Sequence, residues 1–600
     1  MRRILSVIRS HDDDRGVALA AVIGIGMVVM ILAATMVGIA TSGATKTTAD
    51  RDNANAMAAA YAGLAEYQSR VNADNTYALN HGDATQPFST GDAFPKGLGG
   101  NPAFTSWVAV PDSAGAGGAT SYRYAVDNSI YGQQGIVRVQ VTGKAGNRTR
   151  TLVANVKPDG FSNYLYWTDY ESGDPDITGE NCSNVYQNAN YSNSPGGGKS
   201  ACSKIQFQDG DVLNGPIRSN DILLVCGGTF RNTVQSAIGT SDVPCSPRKT
   251  PTYSYYSGYQ PEVVGSYTPP STISAGRDRM YADDTTVASS TVGTGCLYTG
   301  PTQITFNGNG TMTVRSPLTV YTNLQTTAPY GSNPAKCGAV ADLRGAGATI
   351  STATLANNLI YVQDEPSSAG TGSTTNPNYY WSKFPDRATA PSACMKSSAV
   401  TDNGLGFPYV GSVPGYSGTK TESRPVKASG GSFDYATSYG CSNGDLFVSG
   451  KVDASITLNA ENYVYVTGDL TYKTPRAAST VLGLVGQEAV MVWNPMYDGN
   501  RILASNRKIE AAILSNQGTF TVQNYSTGGA RGTLTVNGSI AQRYRGAVGQ
   551  GSNGYIKSYG YDASLASYTP PFFPQPVVTT YKVTSQIEVR AAYDANGAPR

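Results

Sequence analysis

Residues 17–41, VALAAVIGIGMVVMILAATMVGIAT, carry no charged side chain. At about 1.5 Å per residue a helix of this length crosses a bilayer core of about 30 Å. No other stretch of the 600 residues is as long and as apolar, so everything after it must lie on one side of a membrane. Arg2, Arg3, Arg9 and Arg15 precede the run, and the positive-inside rule holds such a segment in the cytoplasm. The expectation is a single-pass membrane protein with a cytoplasmic N-terminus and an extracellular body. Good helix formers continue through Ala49–Tyr67, which predicts one rod over residues 17–72, half in lipid and half outside.

A cleaved secretory signal places a small-residue site after a shorter apolar region. Here the polar leader, residues 1–16, ends in Gly16 and the apolar run begins at Val17. This leader, the uncharged helix and the alanine-rich extension AAYAGLAEYQSRV resemble type IV prepilins, most closely the PilX-type minor pilins. The resemblance covers about the first 70 residues. It implies cleavage between Gly16 and Val17, pilin-like subunits as partners, a small antiparallel head, and a place on the cell surface or in a pilus. Ordinary pilins carry a glutamate four residues after the first mature residue, where this chain has Ala21. Family members without it tend to sit at the tip, which implies a role in assembly priming and adhesion. A plain uncleaved signal anchor is the alternative.

Charge excludes little and composition says more. With 44 Lys+Arg against 42 Asp+Glu there is no global field that argues for nucleic acid, and Arg543, Arg545 and Lys557 make too sparse a basic patch to change that. Low charge with 68 Gly and 39 Tyr fits an exposed β-rich protein with many turns. All eight cysteines, Cys182, Cys202, Cys226, Cys245, Cys296, Cys337, Cys394 and Cys441, follow the anchor, and none has CxxC spacing. Outside the cytoplasm an even count favours disulfides. Pairing each cysteine with its neighbour in that order is the simplest connectivity, and others remain open.

Period-two runs at 122–126, 135–142 and 150–156 predict an antiparallel meander, so residues 73–160 are read as a pilin-like head. Residues 161–590 form a β-rich body in which short apolar runs alternate with Asn/Gly/Asp corners, and 591–600 a tail. The fold class is α+β followed by all-β. Corners this close suit a β-helix or solenoid, with a β-sandwich as competitor. Stretches near 250–285 and 365–432 read as loop insertions. Residues 161–171, 214–221 and 538–546 resemble uncharacterised pilin-like proteins of actinobacteria, which implies a surface appendage and no chemistry.

The two histidines are His11 and His81, which removes Ser-His-Asp, Cys-His and HExxH chemistry from residues 82–600. No enzyme and no cofactor is expected, and a membrane-anchored polysaccharide-acting enzyme or a stand-alone envelope protein are the alternatives. Asp174, Asp176 and Thr178 alternate before a glycine as calcium ligands do, but Val185 stands where a bidentate glutamate belongs. The body's aromatic clusters, Tyr253/Tyr255/Tyr256/Tyr259 and Tyr379/Tyr380/Trp381, offer stacking faces for surface glycans.

Overall fold

The computed structural model describes residues 17–74, 77, 88, 101–111, 119–178, 205–241, 249–288, 292–366, 376–379, 403–413, 415–422, 439–440, 442–477, 479–503, 506–577 and 580–600. Helix α1, Val17–Ala73, holds 57 residues without a proline, a rod of about 85 Å. From Leu19 to Thr45 it is exposed at every residue but Gly26, with Leu19, Met30, Val37 and Ile39 each more than 60% accessible. Hydroxyls in this half bond back to the helix, Thr35 to the Leu32 carbonyl, Thr41 to Val37 and Ser42 to Ile39. Such bonds satisfy a polar side chain without any outside partner.

The second half buries Ala56, Ala60, Leu64, Tyr67 and Val71. Their spacing of three or four residues puts all five on one face, and that face lies on the head sheet. The sheet runs β1 (Val108–Ala109), β2 (Thr120–Asp127), β3 (Val137–Ala145) and β4 (Arg148–Pro158), all antiparallel. Its inner residues Tyr124, Val126, Val139, Val141, Ala154 and Val156 are buried with the helix stripe in one core. Two glycines set how closely helix and sheet approach. A Cβ at Gly143 of β3 would stand 1.9 Å from the Ala56 carbonyl oxygen, and one at Gly63 of α1 would stand 2.7 Å from the Tyr122 ring.

The domain division requires one change. Strand Tyr581–Val589, placed in the body by the sequence, pairs antiparallel with β4 and completes the head sheet. Gln68 donates to the Tyr581 carbonyl at 2.6 Å, and the tail folds onto the same head, with Arg123 donating to Gly597 and lying 3.9 Å over the Tyr593 ring. The body is therefore inserted between two neighbouring strands of the head.

The body is β-rich, with a 21-stranded sheet and four two-stranded pieces among the described residues. Most of its pairings are parallel, and the register lines up apolar residues strand over strand. One column runs Cys296, Ile360, Leu458, Leu484, Ile513, Ile540, Tyr166, Ile217, Val234. A second runs Ile304, Val448, Val466, Val492, Val522. The third runs Leu470, Ile509, Val536, Tyr559, Leu213, Phe230, Tyr253. These columns meet in one buried core.

The stacking order is not the chain order. Strands from Cys296 to Tyr561 form one arm, and strands from Tyr166 to Val263 form the other. The arms join where Ile540 faces Tyr166 and Tyr559 faces Leu213, so the body's first strand, β5 (Tyr166–Tyr170), pairs with one of its last. The far end of the C-terminal arm carries the Cys296–Cys337 disulfide and the short helix Val340–Arg344. Tyr259 plugs the other end, 2% exposed, its hydroxyl accepting from the Val234 amide at 2.7 Å.

The stretch near 250–285 is not a free loop. Thr252–Tyr253 and Glu262–Val263 add strands to the ladders. Residues 264–282 then run back along the stack, bonding Asn220 through the Tyr267 amide, Gln487 through the Ile273 amide and the Leu324 carbonyl through the Ala282 amide. Ser, Thr and Pro suit this path because most of the strap faces outward, while Tyr267, Ile273 and Met280 pin it down as buried residues. Much of 365–432 lies outside the described residues.

Candidate functional site

Two surfaces can carry function: the exposed apolar half of α1, and the joint that fixes the body to it. The first has the length and composition of a membrane span, and the described residues contain one such helix. Val17 is its first residue, while Gly16 lies outside the described residues. Among its glycines Gly24, Gly26, Gly38 and Gly43 meet nothing, in contrast with Gly63 and Gly143. The same residue type is thus spare surface in one half and a contact in the other.

The joint between head and body is polar and buried. Lys157 of β4 is 2% exposed and donates to the Leu565 carbonyl at 2.6 Å, closing the short helix Ser564–Ser567. Burial pulls this ammonium down to about 7. Asp159 accepts from Tyr267 at 2.8 Å and from Asn163 at 2.9 Å, and pairs with Lys582. Burial would raise the Asp159 carboxyl, but Lys582 and the other donors outweigh it and hold the carboxyl below its ordinary value. One carboxylate therefore ties together the end of β4, the strap and the start of the last head strand.

A second polar cluster lies where the arms meet. Arg545 donates to Glu171 at 2.7 Å, with side chains 2% and 0% exposed. Glu171 also accepts from Ser219 at 2.9 Å, and the guanidinium lies 3.8 Å from the Phe207 ring centre. Lys557 reaches Asp211 at 3.4 Å. In both pairs the cation comes from the C-terminal arm and the anion from the N-terminal arm. The basic patch of Arg543, Arg545 and Lys557 is therefore not a free surface patch: Arg545 is buried, Lys557 is half-buried against Asp211, and Arg543 lies over the Tyr170 ring. Sequence reading missed these pairs, since a lone Arg or Lys in a β-rich run looks like a solvated residue until its partner strand is known.

Asp174, Asp176 and Thr178, the residues that suggested calcium, fall in one local turn. Asp174 is buried, its Oδ1 accepts from the Asp176 amide at 3.0 Å and its carbonyl accepts from the Thr178 hydroxyl at 2.9 Å. This is a capped helical turn, Pro175–Thr178, in which Asp174 is the buried capping residue and Asp176 stays exposed. No group of three acidic, histidine or cysteine side chains able to hold a metal occurs among the described residues. Burial raises the Asp174 carboxyl to about 7 and that of Glu422 to about 7. The native state then binds more protons than the unfolded chain between about pH 4 and 7, so this contribution to stability is lost as pH rises through that window. Asp174→Asn keeps the capping oxygen and removes the charge. It should leave thermal stability unchanged at pH 4 and raise it by about 2–4 kcal/mol at pH 8; thermal melts across that range check it, and equal gains at both ends would show the shift is absent.

Cys296 and Cys337 are bonded, with Cα atoms 5.6 Å apart, and Cys226 is also disulfide-bonded. Cys182, Cys202, Cys245, Cys394 and Cys441 lie outside the described residues. Tyr379 is half-buried and its amide donates to the Asn376 carbonyl, while Tyr380 and Trp381 lie outside the described residues. In the other aromatic cluster Tyr253 extends a core column, and Tyr255, Tyr256 and Tyr259 touch with ring centres 5.2–5.4 Å apart. The carboxylates, lysines and tyrosines of the joints are thus used for structure.

No family model matches the chain. No curated protein matches it either. Among solved structures it is similar to one titled the crystal structure of competence-associated pilin ComZ from Thermus thermophilus, at 11% identity and a TM-score of 0.23, covering 90% of this chain and 97% of that one.

Proposed function

We propose that this chain is a membrane-anchored, pilin-like subunit that carries a large β-body outside the cell, present in one or a few copies at the tip of a filament. The observation that carries this reading is the division of α1. One half is apolar and exposed, and the other is clamped by small residues under an antiparallel sheet. A helix so divided needs lipid or other helices around its free half. The body is read as a parallel β-helix. Parallel ladders with three continuous apolar columns support that over a sandwich, whose sheets pair antiparallel.

Ala21 supports the tip position. Without a carboxylate there, no buried charge awaits a partner from a subunit above. A body of over 400 residues is also too broad to repeat at a pilin's close axial rise. The body acts by contact and not by catalysis, in priming assembly and in adhesion. N-terminal sequencing of membrane-extracted protein should read from Val17, and Gly16→Asp should restore Met1. Gold-labelled antibody against the body should mark filament ends. Even decoration along the filaments would overturn the tip position, and normal piliation and adhesion after deletion would overturn the role.

A further inference from the structure

The end of the head nearest the apolar half of α1 carries cations that the fold does not use. Strand direction identifies that end. β4 starts there at Arg148 and finishes at Pro158, where the chain leaves for the body. In the turn before β4, a Cβ on Gly146 would stand 2.8 Å from the Asp52 carboxylate of α1, so the β3–β4 hairpin hangs beside the stretch of helix that has just left the apolar run. Strand Tyr581–Val589 is antiparallel to β4, so it finishes at the same end and brings the tail, residues 590–600, next to the hairpin. Thr149 donates to the Tyr593 carbonyl at 2.9 Å, and the Arg600 amide donates to the Ala592 carbonyl at 2.8 Å. Hairpin, tail and helix form one rim.

On this rim Lys46, Arg148, Arg590 and Arg600 are exposed. Among the described residues, the side chains of Lys46, Arg148 and Arg590 have no hydrogen-bond or ion-pair partner. Most acids of the same end are engaged: Asp52 pairs with Arg51 at 3.4 Å, and Asp594 accepts the amides of Asn596 and Ala598 at 2.9 Å each. Asp50 stays exposed. Lys144 lies 5.5 Å from the ring centre of Trp107, a residue type enriched at membrane–water interfaces. The reach also fits. From Thr41, where the apolar run ends, the helix climbs about 16 Å to Asp52, and the headgroup layer fills about 5–8 Å of that height. The gap of about 10 Å left below the hairpin is close to the Debye length of about 8 Å at physiological salt, and helix tilt and the length of an arginine side chain shorten it. Lys46 stands about 8 Å beyond Thr41, at the layer itself.

We propose that this rim docks on the anionic phospholipid headgroups of the bilayer that holds α1, and so sets how the head stands on the membrane before assembly. The proposal rests on the membrane-anchored reading. Each Lys or Arg near an anionic surface favours contact about fivefold, and a neutral headgroup layer gives no such gain. The test reconstitutes the full chain in vesicles of phosphatidylcholine alone and of phosphatidylcholine mixed equally with phosphatidylglycerol. Flotation reads insertion, and hydrogen exchange reads contact. Amides of residues 146–148 and 591–598 should exchange about fivefold more slowly in the anionic vesicles, while those of Leu458 and Leu484 in the body exchange alike in both. Salt at about 1 M, where the Debye length falls to about 3 Å, should remove the difference. Arg148→Gln with Arg590→Gln should remove it too, with Val139 and Leu152 of the head sheet exchanging as before; if the double variant loosens that sheet, the salt reversal in the unaltered chain decides. Equal exchange in the two lipids, or slowing that survives salt, would overturn the proposal. Failure to float would overturn the anchor and this proposal with it, whereas flotation with equal exchange overturns this proposal alone.

Discussion

Replacing Arg545 by methionine is expected to destabilise the body by about 3–5 kcal/mol, because it leaves the Glu171 carboxylate buried and without its cation. Replacing both members, Glu171→Met with Arg545→Met, should recover most of that loss, since two desolvated charges are replaced by apolar volume in an interior already lined by Phe207 and Tyr166. Denaturant melts of the three variants measure both steps. Hydrogen exchange locates them: in Arg545→Met the amides around Ile540 and Tyr166, which face each other across the joint, should exchange before those of Leu458 and Leu484. A double variant as unstable as the single one would show that the pair gives net stabilisation beyond specifying which strands meet.

The second large effect is expected at Gly143. A valine there would drive its Cβ toward the Ala56 carbonyl at 1.9 Å and the Ala60 amide at 2.4 Å. Both are backbone atoms of a helix, so no rotamer change relieves the contact and α1 must lift from the sheet. Overpacking usually costs about 1–3 kcal/mol, and a backbone clash should reach the upper end or pass it. Gly26→Val is the control, because a Cβ there meets nothing. Limited proteolysis of detergent-solubilised protein should cut Gly143→Val between Ala49 and Tyr67 and spare Gly26→Val. Equal protection of both would refute the close approach.

How far the sequence reveals this architecture depends on the distance over which each signal acts. The anchor needs only adjacent residues, and the meander of β2, β3 and β4 needs only a hairpin's reach, so both are legible. The apolar columns are half legible. Val448, Val466 and Val492 show as short β-prone runs, but nothing local says which run stacks on which. The joint between the arms is not legible at all, for Gln542 and Thr168, which bond across it, stand 374 residues apart. The same holds for Tyr581–Val589, whose alternation is ordinary and whose partner β4 is more than 400 residues away. Arg545 reads as a surface residue for this reason, its burial being a property of a distant strand, and the partner of Lys557, Asp211, is hidden in the same way.

The order of the strands also decides how the molecule would answer a pull. The chain enters the body at β5 and leaves it after Tyr561, and both strands border the joint between the arms. Each arm is therefore a cantilever, with its free end at the disulfide in one case and at Tyr259 in the other. Traction applied to either free end reaches the head through the strands next to Ile540 and Tyr166 and through the strap, which bonds Asp159 by Tyr267. The strap, residues 264–282, spans that crossing on the outside and shares the load. Tension on the molecule would thus be borne largely by one set of rungs in mid-stack, those held by Arg545–Glu171 and Lys557–Asp211.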